Sequence, residues 1–203
     1  MADREVAPTR IALLELLDER RLVREGYELL DERRMLLAAR MLRGLDELER
    51  RRADLASSWD ALMLRLADAL RAHGLNELET WPPMALETTV VRCVESALGI
   101  DLGSATVTTV LGPSVWPPVA DAPTIAACVE AVRRLTGEAA SVAALETSLL
   151  RLADEYRRTE RRTRAIENVL LPELNADLRN IESALESLDQ EEVVRVHSMR
   201  SRA

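Results

Sequence analysis

Residues 9–72 read TRIALLELLDERRLVREGYELLDERRMLLAARMLRGLDELERRRADLASSWDALMLRLADALRA. No proline falls in this stretch, and only Gly26 and Gly44 interrupt a run of strong helix formers. One uninterrupted helix is the simplest reading. Pro8 and Thr9, the latter as N-cap, mark its start, and Gly74 marks its end. At the α-helical rise it extends on the order of 95 Å. Val23, Tyr27, Leu30, Leu37, Met41, Leu45, Leu48, Leu55, Trp59, Leu62 and Leu66 recur in steps of three and four, with Arg34 and Arg52 at two positions of the same stripe. That is a coiled-coil seam. The step from Met41 to Leu45 puts two fours in a row, which predicts a stutter and local unwinding of the supercoil.

A second seam lies at the other end of the chain. Between residues 138 and 200, Val142, Leu145, Leu149, Leu152, Tyr156, Ile166, Leu170, Leu174, Leu178, Ile181, Leu185, Leu188, Val196 and Met199 keep the same spacing, with Thr159 and Thr163 as polar members. Gly137 is expected to separate this helix from a shorter one that begins near Thr124. Neither stripe stays exposed on a soluble protein, since each is larger than the apolar patches monomers present to water. Pairing the two buries both, so the fold class is mainly α: a long antiparallel two-helix coiled-coil hairpin from the N- and C-terminal helices. Pro172 removes one backbone hydrogen bond and crowds the preceding turn, which predicts a bend at residues 169–171.

Between the helices the pattern changes. Six of the eight prolines lie in residues 81–123, with Gly99, Gly103 and Gly112. The β-branched runs TTVVRCV (88–94) and ATVTTVL (105–111) predict a short β-hairpin, with Gly99 and Gly103 between its strands. An isolated hairpin is marginal in water, so it packs on the helices or on a partner chain, of which the partner is favoured. Three regions follow: 1–80, the N-terminal long helix; 81–123, the central segment; and 124–203, the C-terminal helical region.

The chain has 203 residues, a net charge of −8, 31% charged and 47% hydrophobic residues, no Phe and only 2% aromatics. The shortage of large rings argues against a thick globular core and for narrow aliphatic seams. No run reaches the roughly 20 apolar residues of a membrane span, and the start, with Asp3, Arg4 and Glu5, lacks a basic-then-apolar leader. A cytoplasmic location is expected, without membrane insertion. Cys93 and Cys128 have no metal-site or disulfide-framework spacing and are expected to pack as small apolar residues. The acidic balance counts against nucleic acid as a partner.

Phosphate loops, dinucleotide fingerprints, zinc-protease helices and nucleophile elbows have no counterpart in the sequence. His73 and His197 stand far apart, and the many carboxylates read as solvated helix faces. No catalytic, cofactor-binding or metal-ligating residue is expected. The informative surface feature is RRTERRTR (157–164), which places Arg157, Arg161 and Arg164 on one face, with Arg162 beside them. Two readings stand side by side: local neutralisation by Glu155, Glu160 and the opposite helix, or a basic belt for an acidic partner. Arg195, Arg200 and Arg202 form a weaker basic end, where cations suit the helix dipole.

The stretches PTRIALLELLDERRLVREGYELLDERRMLL (8–37) and LETSLLRLADEYRRTERRTRAIENVLLPEL (145–174) resemble the D subunit of the V-type/A-type ATPases. Pro8, Thr9, Arg10, Gly26, Leu29 and Leu30 match that family's opening pattern. Thr159, Arg161, Arg162, Ala165, Ile166, Glu167, Leu171, Pro172 and Leu174 match its distal one without a gap. Leu17, Tyr27 and Asp31 depart from it, standing where relatives usually carry Lys and His. The resemblance implies a non-catalytic central-stalk axle. Its partners would be the catalytic ring of A and B subunits, the F subunit and the protein capping the membrane rotor ring. The chain termini would lie within the ring and the central segment toward the membrane. It also implies a place beside the inner face of the cell membrane, contacts from Arg161 and Arg162 to acidic loops of the ring, and rod asymmetry from the bend at Pro172. Helical periodicity taken alone fits a coiled-coil scaffold unrelated to rotation equally well.

Overall fold

The first helix, α1, runs Arg10–His73, within one residue of the predicted ends. The Ala12 N–H donates to Thr9 Oγ1 at 3.1 Å, so Thr9 caps the helix as its position predicted. At the other end Gly74 takes φ +74°, and its N–H donates to the Leu70 carbonyl at 2.9 Å. A glycine accepts that left-handed conformation without the steric cost other residues carry. The computed structural model describes residues 8–80, 86–111 and 123–200. After α1 come α2 (Leu75–Thr80), β1 (Leu86–Ala97), β2 (Ile100–Leu111), α3 (Pro123–Ala165), a π-turn (Ile166–Leu170) and α4 (Leu171–Arg200). The predicted mainly helical fold, with a long helix at each end and a two-stranded antiparallel sheet between them, is the observed one. Gly112 and most of the central prolines lie outside the described residues.

The chain packs as two units, the first made of residues 1–36 and 156–203, the second of residues 37–155. In the first, the start of α1 pairs antiparallel with α4. Ala12 and Leu16 bury themselves with Leu174, Leu178 and Ile181, and Leu13, Leu17, Val23 and Leu185 pack around them. Arg10 reaches Asp189 on the opposite helix at 3.5 Å. Thr159 and Thr163 are buried on the same seam. Thr163 Oγ1 donates to the Thr159 carbonyl at 3.0 Å, so the hydroxyl is satisfied within its own helix. Leu188, Val196 and Met199, expected to continue the seam, are exposed instead.

Just before Pro172 the helix widens rather than breaks. The Leu171 N–H bonds to the Ile166 carbonyl, five residues back. Two causes coincide here. Leu170, expected on the seam, is exposed, and the seam runs Ile166, Leu171, Leu174, Leu178 in steps of five, three and four, one residue more than a seven-residue repeat holds, which the π-turn absorbs. Pro172 also has no N–H for the Asn168 carbonyl, and its ring presses on that turn.

In the second unit α1 pairs antiparallel with α3. Gly44 lies against Leu149, Arg52 reaches Glu146, and His73 Nε2 meets Thr124 Oγ1 at 3.0 Å. The predicted seam is corrected here. Leu37, Leu48 and Leu62 are buried as predicted, but Leu45, Trp59 and Leu66 are exposed, and Gly44, Ser58 and Ala69 take inward positions instead. The steps from Leu37 through Met41, Gly44 and Leu48 are four, three and four, so there is no stutter after Met41. Small residues are turned inward on this seam. A Cβ on Gly44 would sit 2.6 Å from Leu149 Cδ2. A reading keyed to large apolar side chains chooses the neighbour instead. Gly137 likewise does not divide the helix, since α3 passes through it unbroken.

The hairpin turns at Leu98 and Gly99, both at positive φ, +56° and +73°. Two such residues make the tight turn whose twist matches the flanking strands. Gly103 is in β2 opposite Val94, not in the turn as predicted. Its outward backbone edge meets α3: the Gly103 N–H donates to Ser148 Oγ at 2.9 Å, and that oxygen is also 2.9 Å from the Gly103 carbonyl. The Arg151 guanidinium donates to the Asp101 carbonyl at 2.9 Å, and Ile100 and Leu102 are buried beneath the turn. The support expected from a partner chain therefore comes, at this end of the hairpin, from the chain's own helix. Cys93, expected to pack, is exposed on β1.

Candidate partner-binding surfaces

The arginine belt is oriented by the threonines between its members. With Thr159 and Thr163 turned into the seam, the helical period carries Arg157 and Arg161 to the far side, sets Arg158 and Arg164 to either side of them and leaves Arg162 on the flank. Arg161, Arg162 and Arg164 are all exposed. Arg164 is held by Glu160 at 2.7 Å within its own helix, so the neutralising reading holds for that pair. Arg157 and Arg158 have interactions of their own. Arg161 and Arg162 form no ion pair among the described residues. They are the two cations of the belt left to meet an outside anion.

The other predicted positions fall along the first unit. Pro8 precedes the cap, Thr9 makes it, and Arg10 opens α1 with its charge set against Asp189. A cation at a helix start opposes the dipole, and the carboxylate from α4 offsets it. Gly26 lies in mid-helix, with no heavy atom within 4 Å of where a Cβ would stand. Leu29 is exposed and Leu30 half-buried, so the pair straddles the edge of the seam. Glu167 is exposed on the π-turn, five residues before Pro172.

A third surface is the end of α4. Val193, Val194 and Met199 are more than 60% exposed, and Val196 is nearly half exposed. Val193 and Val196 line a shallow groove of about 440 Å³ with Arg10, Asp189, Glu192, His197 and Arg200. Apolar side chains on adjoining faces of one helix, rimmed by both charge signs, are the composition of a contact surface.

Sequence reasoning missed the electrostatics of the second unit. Glu138 accepts from Arg134 at 2.8 Å and from Ser58 on the opposite helix. Burial, the largest single influence, pushes its carboxyl up, but the two hydrogen bonds and the Arg134 charge together hold it below the usual carboxylate value. Glu47 is held low by Arg51, through a 2.7 Å hydrogen bond and its charge. Burial pushes the Cys128 thiol up, which favours its protonated form. Among the described residues no group of His, Cys, Asp and Glu is arranged to hold a metal, and no helix is long and apolar enough to cross a membrane.

Long paired helices with exposed apolar and charged side chains along their flanks define a class, the proteins built on long helical seams. The comparisons with known proteins make the class particular. One family model, that of the ATP synthase D subunit, matches residues 12–201. The chain belongs to the ATP synthase D-subunit family. It is similar to the V-type ATP synthase D subunit of Anaeromyxobacter dehalogenans, 31% identical over 97% of this chain and 96% of that protein. The V-type D subunit of Thermotoga neapolitana is 24% identical over 97% and 98%. The A-type ATP synthase D subunit of Methanosarcina acetivorans is 25% identical over 100% and 99%. The similarity thus includes both long helices and the hairpin, and the chain is a component of a V/A-type ATP synthase.

Proposed function

We propose that this chain is the central-stalk axle of a rotary V/A-type ATPase. It carries torque between the catalytic ring of A and B subunits and the ion-translocating rotor in the membrane, and it has no catalytic residue of its own. The observation that carries the reading is a family match running through both long helices, together with their antiparallel pairing within each unit. Two helices tied along a seam resist twisting better than one. A rod whose flanks differ in charge and apolarity also has a different contact energy with each protein around it. Three chemically identical catalytic sites are then held in three states by one asymmetric ligand.

The partners are the A and B subunits, the F subunit and the protein that caps the membrane rotor ring, and the location is peripheral, at the inner side of the cell membrane. The apolar end of α4 and its groove suit a bearing inside the ring, because Val193, Val194 and Met199 need cover. Arg161 and Arg162 suit acidic loops of that ring. Co-purification of the chain from cells that express the other subunits tests the assignment. A complex with A, B and F subunits that hydrolyses ATP supports it, and recovery alone or with unrelated proteins overturns it. Within that complex, Arg161→Glu with Arg162→Glu is expected to lower coupled turnover severalfold and to steepen its loss with salt. Unchanged turnover from low to high salt removes the belt from the contact.

A further inference from the structure

The helix pair of the first unit is tight at two levels and loose between them. Ala12, Leu16, Leu174, Leu178 and Ile181 close one level, and Thr159 and Thr163 are buried at the other. On the returning helix no residue from 164 to 173 is buried, and on α1 none from 17 to 36 is. The π-turn lies inside the first interval, with one helical hydrogen bond lengthened to Ile166 and the next lost to Pro172. Gly26 lies inside the second, where nothing occupies the space its missing side chain leaves. Counting back in antiparallel register from the Leu16 and Leu178 level sets Gly26 abreast of the π-turn.

We infer that this level, Gly26 on one helix and Ile166–Leu170 with Pro172 on the other, is a hinge that lets the two tight levels twist and bend against each other. Both helices are weakened at the same height. Glycine has the lowest interior helix preference after proline, the π-turn gives up regular hydrogen bonding, and the apolar side chains at this level, Tyr27, Ile166 and Leu171 among them, are only half-buried. Local opening concentrates where backbone bonds are poorly supported by packing. A single weak helix beside a strong one would be splinted by its neighbour. Two weak spots abreast leave no splint. The inference rests on the axle reading only for its use, which is to take up angular strain while one end is loaded and the other is held.

Hydrogen exchange of the full chain tests it without the complex. Amides of residues 24–30 and 166–176 are expected to exchange at least about tenfold faster than those of 12–17 and 178–182. Gly26→Ala fits the open space and is expected to slow exchange about fivefold, as the glycine-to-alanine difference implies. The slowing should appear in residues 166–176 as well as in α1, because a shared hinge couples them. Deletion of Val169, which removes the residue in excess of the repeat, should slow both segments further while helical content by circular dichroism is kept. Uniform exchange along the pair overturns the hinge, and so does slowing confined to α1. If the deletion variant does not fold, the wild-type profile and Gly26→Ala still decide. Failure to assemble with A and B subunits removes the axle reading and leaves the hinge to the exchange data.

Discussion

The two units of this chain use the same seven-residue repeat and fill it with different chemistry. Near the chain ends the seam is aliphatic: Leu16, Leu174, Leu178 and Ile181 interlock over one small residue, Ala12. In the other unit the buried positions include Ala69, Ser58 and Ser148, with Gly44 directly under Leu149, and polar bridges cross from helix to helix. Aliphatic burial is insensitive to pH and salt and tolerates small shifts. The Gly44 contact is less forgiving, since any added side chain has to displace Leu149. One unit is therefore held by area and the other by fit and hydrogen bonds.

The largest effect that could break this comparison is expected from Leu178→Ala. Leu178 is 3% exposed inside a small cluster, so truncation should cost about 2–5 kcal/mol, read as a lower urea midpoint. A loss below about 1 kcal/mol would mean that area does not hold the first unit. Next in size is Gly44→Val, which forces Leu149 aside and should cost about 1–3 kcal/mol. Its contrast is Gly26→Ala, where the added methyl meets nothing, and the change should be neutral or stabilising by up to about 1 kcal/mol. Equal effects at the two glycines would erase the distinction between a packed and an open seam.

The smallest effect sharpens the comparison through pH. The Glu138 carboxyl is held below its usual value in the folded chain, so the unfolded chain binds the proton more readily. Its contribution is fully present above the ordinary carboxylate value and is lost as pH falls through the lower, folded one. Thermal unfolding of Glu138→Gln followed from neutral to acidic pH should show a smaller acid-induced drop than the wild type. Parallel curves would deny Glu138 a part in holding the second unit.

Much of this architecture is legible in the sequence because it follows from local rules. Thr9, Gly74, the absence of proline between them and the β-branched runs around Gly99 each act through the backbone conformations they favour or forbid. Such preferences need no knowledge of the partner helix. The arginine belt was legible for the same reason, as Thr159 and Thr163 fix which way it faces. The choice of Gly44 over Leu45 and of Ser58 over Trp59 was not legible. It depends on how two helices fifty positions apart along the chain face each other, which no local pattern carries. The docking of Gly103 on Ser148 was hidden for the same reason, since any exposed strand edge seeks partners and the sequence does not say which arrives.

The sequence by itself determined the mainly helical class, both ends of α1, the β-branched strands around Gly99 and the family, since these are written in short-range preferences and in patterns of residues along the chain. Only the tertiary structure decided which face of α1 is buried, that the residue in excess of the repeat is taken up as a π-turn before Pro172, and that Gly26 stands abreast of it. Those outcomes depend on distances between segments remote in sequence, and such distances are set by packing both helices at once.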